Sequence, residues 1–71
     1  MKGKTEFIVF CIENIAKALN AEPQKVYVAL CEKSDVATSY IVPNYEVLHS
    51  QSKEYIIADI LEVMAEEGVS V

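Results

Sequence analysis

The stretch SKEYIIADILEVMAEEGV, residues 52–69, decides the fold. Ile56, Ile57, Ile60, Leu61 and Met64 recur within it at three- and four-residue steps, which places them on one face of a helix. Ser52 stands where an N-cap belongs, and Gly68 stands where a helix ends in the left-handed conformation. Val69 follows the glycine, positioned to fold back on the last turn as in a Schellman-type stop. The spacing predicts a helix over Lys53–Glu67 whose apolar face must be covered by other helices.

Working outward, the N-terminal segment carries the same period. From Thr5 to Leu19, the positions Ile8, Cys11, Ile12, Ile15 and Leu19 form a stripe, with Glu6, Glu13 and Lys17 opposite. Asn20 suits the end of this helix. Pro23 suits the first turn of the next, where a missing N–H costs nothing. A second helix is predicted over Pro23–Lys33, with Val26, Tyr27 and Leu30 inward, and Ser34 and Asp35 provide a stop and a new cap. Val36 to Tyr40 is weakly helical, and Pro43 biases Ile41 and Val42 toward extended backbone, so an irregular hinge is expected there. Tyr45 to His49 makes one further turn. No run alternates long enough for a strand and no period repeats. The expected fold is all-α, a compact bundle of three principal helices plus a short fourth helical segment, forming one domain over residues 1–71.

Charge and composition narrow the function. The net charge of −5 is uneven: residues 1–19 carry +1, residues 20–34 are neutral, and residues 35–71 carry −6. All six basic residues are lysine, so the side chain best suited to bidentate contacts with phosphate and guanine is missing. The Pro23–Lys33 helix, with its preceding turn, imitates a helix-turn-helix. Its outward residues, however, are Gln24, Lys25, Val28 and Glu32, which cannot neutralise several phosphates. Nucleic acid is not expected as a partner, and a helix-turn-helix-like DNA-binding regulator is kept as the alternative reading.

Residues that could carry chemistry are few. Cys11 and Cys31 lie in apolar runs and are expected to be buried, reduced thiols of a cytoplasmic protein. The opening MKGKTEFIVFCIEN imitates a secretory leader, but its apolar run stops after six residues, too short for a leader or a membrane span. His49 is the one histidine, so any acid–base or Cys–His chemistry must pass through it. Glu46 and His49 form half of a carboxylate-bundle metal motif, which only a symmetric dimer would complete, giving a dimeric metal-binding protein as a further alternative. The simpler expectation is that the His49 ring closes the loop before the last helix with a hydrogen bond. With two glycines, each near an end of the chain, there is no phosphate-cradling loop. No catalytic residue, metal or cofactor is expected, and the protein is not expected to be an enzyme.

Two surfaces are candidates for partners. Tyr55, Asp59, Glu62 and Glu66 share one side of the last helix, which is either a solvated acidic face or an epitope for a basic protein. Phe7, Val9 and Phe10 lie outside or beside the stripe of the first helix and leave its start apolar nearly all round. Either the tail Val69-Ser70-Val71 covers that region, or another chain does, as in a homodimer.

The runs EFIVFCIENIAK (residues 6–17) and YIVPNYEVLHSQSKEYIIADI (residues 40–60) carry a resemblance. With their F-x-x-F-C-I-E and Y-I-x-P-x-Y-x-x-L-H-x-Q patterns, they resemble a small bacterial family of unknown function made of short stand-alone proteins. The similarity covers about Glu6 to Gly68. It implies no catalytic residue. It implies an accessory protein, some relatives being encoded beside ADP-ribosyltransferase-like proteins in an arrangement similar to toxin and antitoxin pairs. The expected function is a small protein–protein interaction module, antitoxin-like toward the product of a neighbouring gene.

Overall fold

A computed structural model describes residues 2–71. The described chain is helical and contains no strand: α1 (Lys2–Leu19), α2 (Pro23–Tyr27) running straight into a π-helical turn (Val28–Glu32), a second π-helical turn (Ala37–Ile41), α3 (Tyr45–Leu48) and α4 (Lys53–Glu67). The all-α bundle of three principal helices with shorter helical pieces between them is therefore the fold.

Each long helix ends as its residues dictate. Asn20 adopts a left-handed backbone (φ 55°), so that its N–H donates to the Lys17 carbonyl and the Ala21 N–H to the Ala16 carbonyl at 2.9 Å. Gly68 repeats the device at the end of α4 (φ 73°), with the Val69 N–H donating to Met64 at 2.8 Å. Both are Schellman stops, which satisfy carbonyls that the helix leaves open. At the other end of α4 the Ser52 hydroxyl accepts from the Tyr55 N–H at 3.1 Å. Pro23 occupies the first turn of α2.

α1 begins at Lys2 rather than Thr5. Its buried side is Phe7, Cys11, Ile12, Ile15 and Ala16, while Leu19, in the last turn before the left-handed Asn20, is 42% exposed. On α2 and the π turn that continues it the inward residues are Val26, Ala29 and Leu30, and Tyr27 is 45% exposed. The core lies on the Val26–Leu30 line and extends to its Ala29 side, leaving Tyr27 on the opposite edge.

The hinge before Pro43 is not extended. Val42 is right-handed helical (φ −64°, ψ −49°), and Ile41 is fully buried. The Val42 N–H reaches back five residues to the Ala37 carbonyl at 3.0 Å, and this wider turn opens the space that a proline ring needs near the preceding turn. Asn44 then secures the exit, as its backbone N–H and its side-chain amide both donate to the Tyr40 carbonyl. Earlier, Ser34 does what a stop and start signal should. Its hydroxyl donates to the Ala29 carbonyl at 2.7 Å and accepts from the Val36 N–H.

One core joins all these elements, with Ile15, Leu30, Ile41, Ile60, Val26, Val36 and Cys11 wholly enclosed. On α4 the central line is Ile56, Ile60 and Met64; Ile57 and Leu61 pack against it half-buried. None of the described residues that are buried is polar or charged.

Candidate functional site

The acidic side of α4 follows directly from its apolar side. Since Ile56, Ile60 and Met64 face the core, Tyr55, Asp59, Glu62 and Glu66 are carried to the outside. Tyr55 is 52% exposed, and Glu62 and Glu66 are exposed beside it. Asp59 is held differently. It is half-buried, and its Oδ2 accepts a hydrogen bond from the Tyr40 hydroxyl, so the second π turn reaches across nineteen residues of sequence to grip α4. The hydrogen bond to Asp59, then burial, then the negative charge of Asp59 push the Tyr40 hydroxyl up to about 12 from its ordinary 10. Tyr55 and Glu62 raise it slightly further through their charge.

Sequence reasoning missed Tyr40. The available signal was small: a tyrosine placed three residues before Pro43, in a segment expected to be irregular. Tyr40 sits in the second π turn, which no local pattern announces.

The second candidate surface is divided by the structure. Phe7 is not available to a second chain: it is buried, with the Tyr45 ring edge-on at 5.4 Å and Phe10 stacked at 6.0 Å. Val9 is 47% exposed, and Phe10 is half-buried against the core. The cover over the start of α1 is Tyr45 of α3, not the tail Val69–Val71, which instead lines a groove of about 660 Å³ at the opposite end of α1 with Leu19, Ala21, Lys25 and Met64.

Among the described residues the His49 ring makes no hydrogen bond that would close its loop. It is exposed, and its imidazole stacks on the Tyr45 ring at 4.7 Å. Glu46 is exposed as well, and no group of three or more His, Cys, Asp or Glu that could hold a metal assembles among the described residues. The two thiols are unequal. Cys11 is sealed in the core, where burial pushes it up to about 12, whereas Cys31, expected to be buried, is only partly covered; burial and then Glu32 raise it. Neither thiol is disposed to ionise. No helix among the described residues is long and apolar enough to cross a membrane.

Neither a curated protein nor a solved structure matches the chain. A family model described as a protein of unknown function (DUF3791) matches residues 6–67, from the first turns of α1 to the last residue of α4, and the chain belongs to that family.

Proposed function

We propose that this protein works by binding another protein, and that the acidic outer face of α4 is the contact. The observation that carries this reading is Tyr55: a large aromatic ring half in solvent, on the same helix side as Glu62 and Glu66, in the part of the chain that holds a charge of −6. Aromatic rings ringed by charge supply both the affinity and the steering of protein interfaces. The resemblance set out above points to the product of an adjacent gene, related to ADP-ribosyltransferases, with the small protein in an antitoxin-like role.

The test is the association of this protein with that gene product across a salt series. Tyr55→Ala raises the dissociation rate and leaves association unchanged. A double variant with Glu62→Lys and Glu66→Lys lowers the association rate, most at low salt, since screening shortens the reach of charge to about 8 Å at physiological ionic strength. The pair Glu62 and Glu66 is preferred to Asp59, whose reversal would also break the contact with Tyr40. A complex whose rates ignore salt and both changes places the interface elsewhere.

Val9 supports a second surface. Its exposure beside Phe10 favours pairing of two copies through α1.

A further inference from the structure

We propose that the groove at the far end of α1 is a binding site for a free α-amino acid with a large apolar side chain. The ligand's ammonium meets Glu22, its carboxylate meets Lys25, and its side chain lies on the apolar floor between them and the tail. This inference is independent of the reading of α4 as a partner-binding face.

The groove forms where three stretches of chain meet: the end of α1, the turn into α2, and the end of α4 with the residues after it. The helix ends that wall it are each closed by a left-handed residue, Asn20 and Gly68. On one side the Ala21 N–H donates to the Ala16 carbonyl at 2.9 Å, and on the other the Val69 N–H donates to the Met64 carbonyl at 2.8 Å. Hydrogen-bonded backbone thus sets the walls, and the concavity of about 660 Å³ is preformed, within the size range of small-molecule sites. Its floor gathers two apolar residues that the core leaves out. Leu19 and Val71 are each 42% exposed, and both line this groove beside Met64 and Val69. The apolar part of a ligand gains by removing that surface from water.

The rim decides what kind of ligand fits. Glu22 and Lys25 stand one turn apart, the Lys25 N–H donating to the Glu22 carbonyl at 3.0 Å, and both residues line the groove. Glu22 occupies the N-cap position of α2, yet its side chain makes no capping hydrogen bond. A carboxylate and an ammonium side by side over an apolar floor complement a molecule that carries the reverse pair next to an apolar side chain. That molecule is an amino acid such as leucine, methionine or phenylalanine. A fatty acid would match Lys25 but set a like charge against Glu22, and an aliphatic amine would do the reverse. Three contacts at fixed positions also separate the L form from the D form, which two contacts cannot do.

The test titrates the full isotope-labelled chain with L-leucine, D-leucine, L-leucinamide and isocaproate, following backbone NMR signals. L-Leucine shifts Asn20, Ala21, Val69 and Ser70 saturably. Leucinamide lacks the carboxylate and isocaproate lacks the ammonium; each binds about fivefold more weakly, the upper worth of one exposed ion pair, and D-leucine is weakened by about the same factor. Lys25→Gln removes the preference for leucine over leucinamide and keeps the preference over isocaproate, and Glu22→Gln does the opposite. Val71→Ser weakens all four ligands. Each variant changes an exposed side chain, so circular dichroism stays helical. No saturable shift, equal binding of the two enantiomers, a preference that survives its matching variant, or shifts confined to residues outside the groove overturns the inference.

Discussion

At the scale of single residues, the structure places two tyrosines where each does more than fill space. Tyr40 ties the second π turn to α4 through Asp59, and its hydroxyl is pushed up to about 12 by that hydrogen bond first and by burial second. A group whose pKa is raised on folding adds stability that is complete below its unfolded value of 10 and is lost as pH climbs through 12. Urea unfolding of the wild type should therefore weaken across that interval more steeply than unfolding of Tyr40→Phe, the comparison removing the other three tyrosines from the result. Tyr45 lies over α1 so closely that a Cβ on Gly3 would sit 2.6 Å from its hydroxyl oxygen. Alanine in place of a helical glycine normally stabilises by about 0.5–1 kcal/mol. Gly3→Ala should yield little of that in the wild type and most of it in a Tyr45→Phe background, where the oxygen is gone. Equal effects in the two backgrounds, measured by thermal melts, would remove Tyr45 as the reason for glycine at this position.

At the scale of elements, the helices are held by their ends as much as by their faces. Ser52 accepts from Tyr55 N–H, and Ser52→Ala should cost about 1 kcal/mol, a typical loss for an N-cap hydroxyl. Asn20 and Gly68 both hold left-handed backbone, but they differ in what a substitution meets. A Cβ at Gly68 would touch nothing within 4 Å, so Gly68→Ala should cost only the conformational strain of about 1–2 kcal/mol. Asn20→Gly should be neutral to stabilising, since glycine takes that conformation without strain. A fall in melting temperature for Asn20→Gly would mean that its side chain, rather than its backbone, is what the turn needs. The π turns show why the hinge region resisted the sequence. Pro43 was correctly a signal of disturbance, but the chain absorbs it by widening a helical turn around Ala37–Ile41 instead of unwinding, because unwinding would pull Ile41 out of the core.

At the scale of the whole molecule, a chain of 71 residues has little stability to spare, about 4–10 kcal/mol by the usual figure per residue. Ile60 is wholly enclosed, so Ile60→Asp should unfold the domain outright, seen as loss of the helical circular dichroism; a retained transition would refute its central place. Self-association belongs to the same scale. With Phe7 internal, Val9 and Phe10 remain the outward apolar pair on α1, and Phe10→Glu should shift a wild-type dimer toward monomer in sedimentation without unfolding it. A wild type that stays monomeric at high concentration ends that idea. The three principal helices, the caps of α4 and its acidic outer side were legible in the sequence, because each depends on residues within one or two turns of each other: Ser52 with Tyr55, Gly68 with Met64, Ile56 with Ile60. Which partners cover a given face was not. Phe7 is buried with Tyr45, thirty-eight residues away, packed edge-on against it; Leu19, at the end of α1, is exposed; and Asp59 accepts a hydrogen bond from Tyr40 of the second π turn. The period of apolar residues determined the main helices and the central line of each inner side, since helical geometry is local, while edge positions such as Phe7, Leu19 and Tyr27 were settled by packing. The company each side chain keeps was decided by the tertiary structure alone, since packing joins residues that the sequence holds far apart.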